Sequence, residues 1–288
     1  MNIKVINVFA LDNQGGNPCA IVDNAAKLSA EEMQTIATHL NLPETIYIIP
    51  NKNQYLLRFF ATKGELPLCC HGVLGAAFYL LKLHQKNPLH IETYNTSKID
   101  VGYDSNLVYM SLINSGKILD TKVDTPTISD MLQTSKSAIS QNLPCVVASV
   151  GSPKLFIPII NRKLLFNIEP NLDFITKWSK ANTINGIYVY SNDTKDPNAS
   201  YVARSFNPLF SYQEDIATGV AAAGLGHMLC ASSGKSEASY SIEQGANLGK
   251  PSKIFIAITK NKITIKGGAY FLKDLHWVSS HRNFDYRC

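Results

Sequence analysis

The sequence predicts an α/β protein built from two similar halves. Its 288 residues suit two domains of ordinary length, and 45% hydrophobic with 17% charged residues is a composition that can form buried cores. A strand, a polar turn and a small-residue apolar helix follow one another twice, from Arg58 to Gly72 and from Arg204 to Gly219. The two segments differ in length by one residue. We interpret them as an internal duplication, although such units are common in α/β proteins.

The chain opens with strand signals. Lys4–Phe9 has strand composition, and a glycine-rich turn separates it from a second apolar run, Cys19–Val22. Ser29 lies three residues before Glu32, which is the spacing of a capping box, and apolar residues follow at helical intervals. We therefore predict a helix over residues 30–40.

Two further strands and a buried helix are predicted next. Glu44–Ile49 and Tyr55–Phe60 are rich in β-branched and aromatic residues, so Glu44 lies where a loop enters a strand. Val73–Leu83 is apolar on all sides, which predicts a helix buried in a core. The first turn of a helix has N–H groups without intrahelical acceptors, and glycine lets a ligand approach them. The start of this helix is therefore a potential anion site.

The second half repeats this plan, with a strand at Tyr201–Phe206 and a helix at Val220–Leu229. The remaining predicted elements are strands at 91–101, 107–112 and 182–190, a threonine-rich crossover at 120–128, and a hairpin formed by 254–258 and 263–266. The crossover marks the predicted boundary between the two halves.

Charge and cysteine content narrow the classes of function. The formal charge of +5 comes from scattered lysines and arginines, so we expect no nucleic-acid partner, whereas a small anionic metabolite fits. The six cysteines lack the spacing of a zinc site, which predicts reduced thiols and no metal.

No apolar run reaches the roughly 18 residues of a membrane span, and the chain starts with a strand pattern rather than a signal peptide. We expect a soluble, cytoplasmic protein with no membrane partner.

A series of short motifs resembles PhzF-like proteins in content and order. The motifs are Gly16-Asn17-Pro18, Leu42-Pro43-Glu44-Thr45, Cys69-Cys70-His71-Gly72, Glu214-Asp215-Ile216-Ala217-Thr218-Gly219, Gln244-Gly245 and Gly249-Lys250-Pro251-Ser252. They span nearly the whole chain. The resemblance implies a diaminopimelate epimerase-like fold, in which each half is a curled sheet around a central helix and the active site lies in the cleft between the halves. It further implies a homodimer, a first half of residues 1–119 to which 270–288 return, and a second half of residues 120–269.

The resemblance implies a catalytic set of Glu44, His71 and Asp215. Glu44 takes the position of the family's acid/base glutamate, and His71 that of a histidine that contacts the substrate or relays a proton. Asp215 takes the position of an aspartate that holds a substrate amino or hydroxyl group. Plainer interpretations of the same residues are a solvated loop glutamate, a structural histidine and a helix-capping aspartate.

The resemblance also implies a set of substrate-binding residues, namely Asn17, Cys69, Cys70, Gly72, Thr218, Gly219 and Val220. Backbone N–H groups around Gly72 and Gly219 are expected to bind a substrate carboxylate and to stabilise charge as the adjacent carbon loses its proton. Three residues depart from the family pattern: Cys70 replaces glycine, Ile216 replaces proline and Val220 replaces serine. Loss of the serine hydroxyl is expected to change substrate contacts or reduce activity.

Diaminopimelate epimerases and proline racemases, which share this architecture, use two cysteines as acid and base, one before each central helix. Here Cys69 takes the first position, and the sequence places Ile216 at the second. A racemisation that uses two thiols is therefore not expected. Cys69 can equally be a small residue that only packs.

These observations predict a cofactor-independent isomerase or epimerase that moves a proton at carbon in a small carboxylate-bearing metabolite by general acid/base catalysis. The departures from the family pattern argue against assigning the dihydro-hydroxyanthranilate isomerase reaction of phenazine biosynthesis itself. The alternative is a catalytically reduced protein of the same fold that binds a small molecule or acts as a scaffold. A cofactor-dependent enzyme is not indicated, because the sequence has neither a dinucleotide-binding glycine turn nor a Walker segment.

Overall fold

The computed structural model describes residues 1–51, 54–93, 96–209, 214–277 and 284–285. The chain forms two compact units: a first unit of Met1–Leu112 with Lys266–Cys288, and a second unit of Ile113–Ile265. The predicted boundaries, 119/120 and 269/270, lie seven and four residues after those of the structure, which are 112/113 and 265/266. Within the segment 270–288, which we expected to return to the first half, residues 278–283 and 286–288 lie outside the described residues.

The first unit is a mixed sheet with two helices. Its elements are β1 (Asn2–Ala10), β2 (Asn17–Val22), α1 (Ala30–Leu40), β3 (Glu44–Asn51), β4 (Gln54–Ala61), β5 (Gly64–Leu66), α2 (Cys70–His84), β6 (Leu89–Thr93), β7 (Thr96–Asp104) and β8 (Leu107–Ile113). Strand β2 runs parallel to β3, and β4 runs parallel to β6. The pairs β1–β2, β3–β4, β4–β5, β6–β7 and β7–β8 are antiparallel.

The second unit contains β9 (Lys117–Leu119), α3 (Thr125–Leu132), β10 (Val146–Ser149), β11 (Lys154–Pro158), α4 (Arg162–Phe166), α5 (Leu172–Asn182), β12 (Ile187–Ser191), β13 (Tyr201–Phe206), β14 (Glu214–Asp215), α6 (Gly219–Ser232), β15 (Ala238–Gln244), β16 (Ser252–Ile258) and the start of β17 (Lys262–Trp277). Here β11 runs parallel to β12, and β13 runs parallel to β15. Beyond Ile265, β17 belongs to the first unit, where it pairs with β1 and with β18 (Phe284–Asp285).

The two units repeat one pairing scheme, which confirms the predicted duplication. In the first unit, β1 and β2 are antiparallel, β2 and β3 are parallel, and β4 has a short antiparallel partner, β5, and a parallel partner, β6. In the second unit, the same relations join β10 with β11, β11 with β12, and β13 with β14 and β15. An ion pair is repeated as well. Arg58 of β4 binds Glu65 through two hydrogen bonds of 2.7 Å, and Arg204 of β13 binds Glu214 through two of 2.8 Å.

A buried helix lies at the centre of each sheet, as predicted. Helix α2 packs against β1, β2, β3 and β7, and α6 packs against β10, β11, β15 and β16. Nearly every residue of both helices before the last turn is buried. Helix α1 lies elsewhere on the first sheet, where Met33 and Ile36 pack in one cluster with Tyr47 and Phe60. No helix within the described residues combines the length and apolar character needed to cross a membrane.

Three predicted elements were wrong in their extent or type. Residues 91–101 form parts of two antiparallel strands, β6 and β7, rather than one, and residues 94–95 lie outside the described residues. Both arms have strand composition, so composition alone does not reveal the break. The predicted crossover contains the start of α3, where Asp124 accepts the N–H of Thr127 and Pro126 occupies the first turn. The predicted strand at 182–190 begins only at Ile187, because α5 extends to Asn182.

Candidate active site

Glu44 and His71 come together in the first unit. Glu44 is the first residue of β3 and pairs with Cys19 of β2, and His71 lies in the first turn of α2. His71 Nε2 is 2.8 Å from Glu44 Oε2, and the two side chains are 7% and 15% exposed. Neither atom has a well-aligned hydrogen bond to any described group. The contact is therefore a close ion pair with hydrogen-bonding capacity left on both sides.

Cys69 contacts the other side of the His71 ring. Its Sγ lies 3.3 Å from Nδ1 of His71. Cys69 is also the N-cap residue of α2, and its sulfur accepts the N–H of Gly72 at 3.4 Å. A thiol, an imidazole and a carboxylate thus follow one another in contact, which holds the ring between two partners.

The electrostatics of this cluster favour a charged imidazole. Burial lowers the pKa of His71, but Cys69 and Glu44 raise it, and the result is well above the ordinary value. Burial raises the pKa of the Cys69 thiol, and the Glu44 carboxylate acts in the same direction. The directions of these two shifts favour a protonated His71 imidazole and a protonated Cys69 thiol.

The ligand atoms of Glu44, Cys69 and His71 lie within 4.8 Å of one another, a spacing that can hold a metal ion. His71, however, presents Nε2 to Glu44 and Nδ1 to Cys69. The two ring nitrogens point in different directions, so one ion cannot take all three residues as ligands in this arrangement.

Gly72 allows α2 to approach β3 closely. A Cβ on Gly72 would lie 2.9 Å from Cγ1 of Ile46 and 3.1 Å from Cδ1 of Phe59, both of which are buried. A side chain at this position would push the helix away from the strand. The preceding residue, His71, reaches Glu44 because of this approach.

Asp215 lies in the second unit, in the short strand before α6. Thr218 is the N-cap residue of α6, and its Oγ1 donates to Oδ2 of Asp215 at 2.6 Å. Asp215 therefore binds the residue at the cap position and does not occupy that position itself. This bond directs one carboxylate oxygen toward the start of the central helix.

Gln244, for which no role was predicted from the sequence, forms hydrogen bonds to Asp215, Thr218 and Tyr188. Its Nε2 donates to the Asp215 carbonyl at 2.8 Å, and its Oε1 accepts from the Thr218 N–H at 3.2 Å and from the Tyr188 hydroxyl at 3.0 Å. The Gln244-Gly245 motif was a signal that could have identified it. Tyr188 has no feature in the sequence that separates it from an ordinary core aromatic residue.

The predicted substrate-binding residues fall into two groups. Asn17, Cys69, Cys70 and Gly72 lie in the first unit and are buried, and Thr218, Gly219 and Val220 lie at the start of α6 in the second unit. Two of the N–H groups expected to bind a carboxylate already have acceptors. Gly72 donates to Cys69 Sγ, and Thr218 donates to Gln244.

The strand pairing corrects the predicted counterpart of Cys69. The short strands β5 and β14 each end three residues before the N-cap residue of a central helix, and these residues are Cys69 and Thr218. Thr218, and not Ile216, is therefore the counterpart. The sequence spacing was misleading because the segment between β13 and β14 is longer than the turn between β4 and β5. Threonine is not a thiol, so a two-thiol pair is absent with this correction too.

Comparisons with known proteins agree with this architecture. Residues 6–274 match the model of the family described as phenazine biosynthesis-like protein, PhzC-PhzF. An uncharacterized isomerase of Clostridium acetobutylicum is 28% identical over 275 residues, covering 91% of each chain. The trans-2,3-dihydro-3-hydroxyanthranilate isomerase of Pseudomonas chlororaphis is 26% identical over 262 residues, covering 87% of this chain and 88% of that one.

The crystal structure of a PhzF-family phenazine biosynthesis protein of Bacillus anthracis superposes with a TM-score of 0.86 at 24% identity, covering 95% of this chain and 97% of that one. The predicted diaminopimelate epimerase-like fold is confirmed. The family match and the repeated architecture lead to one conclusion: this chain belongs to the phenazine biosynthesis-like, or PhzF, family.

Proposed function

We propose that this protein is an isomerase that moves a proton at carbon in a small carboxylate-bearing metabolite, with Glu44 as the acid/base group and no cofactor. Relatives that are named isomerases support the reaction class. The observation that carries the mechanism is the buried 2.8 Å contact between Glu44 and His71. This contact supports the proposal because it holds the Glu44 carboxylate, a group able to accept a proton, against the His71 ring.

In the proposed reaction the Glu44 carboxylate takes a proton from a substrate carbon, and the electron pair of the broken C–H bond moves into the conjugated system of the substrate. The protonated Glu44 then returns the proton to another carbon, or to the opposite face of the same carbon. His71 holds Glu44 in place and stabilises its charge before and after the transfer. General acid/base catalysis of this kind accelerates a reaction by about 10²–10⁴-fold.

The proposed role of Asp215 is to bind an amino or hydroxyl group of the substrate. The bond from Thr218 fixes one of its oxygens, which supports a defined orientation of the carboxylate. Val220 has no hydroxyl at the family's serine position. We therefore propose that the substrate is a carboxylate other than the one named for the Pseudomonas relative. We also propose that the protein is a homodimer, as the family resemblance implies.

Solvent deuterium exchange tests this function directly. Small amino and hydroxy acids, together with trans-2,3-dihydro-3-hydroxyanthranilate, are incubated in D₂O with wild-type protein, Glu44→Gln and the exposed control Glu31→Gln. We expect exchange at carbon in the wild type and the control, and a loss of about 10²–10⁴-fold in Glu44→Gln. Unchanged exchange in Glu44→Gln would remove Glu44 from the mechanism.

The second candidate function is a binding protein of the same fold. Cys70 and Val220 favour it, because both depart from the family pattern next to the two helix starts. Its signature is a compound that raises the melting temperature of the wild type while no compound in the panel exchanges its proton. That result would replace the catalytic proposal.

A further inference from the structure

Lys154 is a buried lysine at the start of β11 that the proposed mechanism does not use. The residue is 2% exposed, and its Nζ donates to the backbone carbonyl of Asn185 at 2.5 Å. Among the described residues, Nζ has that one hydrogen-bond partner. An ammonium group offers three donors, and burying its charge is costly unless the charge is compensated. The ammonium of Lys154 is therefore buried with one of its three donors hydrogen-bonded among the described residues.

The duplication shows which position Lys154 occupies. In the first unit, Cys19 pairs with Glu44 across the parallel strands β2 and β3. The register of β11 and β12 pairs Leu155 with Ile187, so Lys154 lies beside Gly186. Lys154 is thus the counterpart of Cys19, and Gly186 is the counterpart of Glu44.

Gly186 cannot carry a side chain. Its φ is +78°, and a Cβ there would lie 2.2 Å from the carbonyl oxygen of Phe206. The second unit therefore has no carboxylate where the first unit has Glu44. The ionisable side chain next to this position is that of Lys154 on the neighbouring strand.

The side chain of Lys154 is on the face of the sheet that covers α6. Residues two apart on a strand share a face, so Lys154 shares the face of Phe156. The Phe156 ring packs against α6, where a Cβ on Gly224 would lie 2.8 Å from Cζ of Phe156. The same ring lies 5.8 Å from that of Tyr188 on β12.

Asp215 is on this face as well. Phe156 pairs with Tyr188, Tyr188 with Ser205, and Ser205 with Asp215, and paired residues point to the same side of a sheet. The Ser205 hydroxyl in this row is buried and has no hydrogen-bond partner among the described residues. The face around the start of α6 is therefore polar, with capacity for a further hydrogen bond.

Lys154 and Asp215 provide a basic and an acidic side chain on the same face of the sheet. Burial lowers the pKa of Lys154 to about 8, and the Asp215 carboxylate acts in the opposite direction. Tyr188 is a further titratable group on this face, and burial raises its pKa, with Asp215 adding to the increase. His227 of α6 lies against Gly116, and burial lowers its pKa. Arg204 faces the other side of the sheet, where it binds Glu214.

We propose that Lys154 is a positioning residue for Asp215, whose buried ammonium keeps this carboxylate charged and oriented to accept a hydrogen bond from the substrate. The inference rests on the proposed binding role of Asp215. It accounts for a lysine at a position where the first unit has the thiol of Cys19. It also makes the second unit a charged binding element, whereas the first unit contains the proposed acid/base pair.

Titration of Lys154 tests the coupling without any substrate. Lysines labelled with ¹³C at Cε are followed by NMR against pH, and the Lys154 signal is identified by its absence from Lys154→Met. We expect this signal to titrate near pH 8, whereas ordinary lysines titrate at about pH 10.4. In Asp215→Asn the midpoint should move lower, because the stabilising anion is gone. A Lys154 signal that titrates with the other lysines, or that Asp215→Asn leaves unchanged, would overturn the proposal.

A kinetic measurement tests the positioning role on a compound found in the exchange panel. We expect Lys154→Met to raise KM by roughly 10–100-fold, the equivalent of a charge-assisted interaction, with a smaller effect on kcat. The wild-type KM should rise above about pH 8, whereas the KM of Lys154→Met should not change with pH.

Lys154→Arg should restore much of the affinity, and the exposed control Lys163→Met should match the wild type. A loss of kcat alone, or no rescue by arginine, would contradict the role. If no compound exchanges at all, the proposed function fails, but the NMR titration still decides the coupling.

Discussion

His71 lies between two groups that favour its protonated form. Cys69 contacts its Nδ1 and Glu44 contacts its Nε2. Burial alone lowers the pKa of His71, but these neighbours raise it well above the ordinary value. Since the pKa is then higher in the folded protein than in the unfolded chain, protonation of His71 is linked to stability.

The pH dependence of unfolding should reveal this linkage. The contribution of His71 is fully present below its unfolded pKa, near 6.5, and is lost as the pH rises through the raised folded pKa. Over that window, wild-type protein should lose free energy of unfolding relative to His71→Gln by about 1.4 kcal/mol per pH unit. Urea unfolding at a series of pH values measures this, with the exposed His90→Gln as the control. Parallel curves for wild type and His71→Gln would contradict the raised pKa.

The start of α2 is placed by close packing rather than by a polar contact. Gly72 sits against Ile46 of β3 and Phe59 of β4, with no room for a methyl group. Cys69, at the cap position, binds the Gly72 N–H through its sulfur, which is a weak acceptor. The position of the helix start, and with it the distance from His71 to Glu44, therefore depends on the absence of a side chain at residue 72.

Gly72→Ala should both destabilise the protein and disturb the site. We expect a loss of about 1–3 kcal/mol of unfolding free energy, the usual cost of overpacking a core, together with a lower pKa of His71 as it moves away from Glu44. Gly64→Ala is the matched control, because a Cβ on Gly64 meets nothing within 4 Å. Urea unfolding and an NMR titration of the histidine ring measure the two effects. Equal stability of the two variants would show that α2 does not need the close approach.

The two units share one pairing scheme but have different side chains at the starts of their central helices. Each unit has an arginine bound to a glutamate through two hydrogen bonds, and each guanidinium lies over a phenylalanine ring at 5.1 or 4.8 Å. The two units differ at the proposed acid/base position, since Glu44 of the first unit corresponds to Gly186 of the second. This difference between the two units is consistent with the proposed mechanism, in which Glu44 is the acid/base group.

The duplicated ion pairs should differ in their contribution to stability. Arg204 and Glu214 are 8% and 13% exposed, whereas Arg58 and Glu65 are 14% and 38% exposed. Arg204 also donates to the carbonyls of Leu165 and Ile168. We expect Arg204→Met to cost about 3–5 kcal/mol of unfolding free energy and Arg58→Met about 1 kcal/mol. Urea unfolding of both variants compares them, and equal losses would show that burial does not distinguish the pairs.

Local sequence signals determined much of the fold. The capping box at Ser29 and Glu32 formed as predicted, and the two apolar runs became the central helices. Such features depend on residues close together in the chain, so a single sequence displays them. The start of α3 also had a local signal, the Asp124 cap followed by Pro126, which the threonine-rich composition obscured.

Only the tertiary structure decided which side chains meet. The contact of Glu44 with His71, the correspondence of Thr218 with Cys69, the bonds of Gln244 and the burial of Lys154 all depend on strand register and on the distance between a helix and its sheet. Register joins residues far apart in the chain, and a shift of one residue turns every side chain to the opposite face. The sequence by itself therefore determined the family, the duplication and the candidate acid/base residues, whereas packing between distant segments decided which of those residues are in contact.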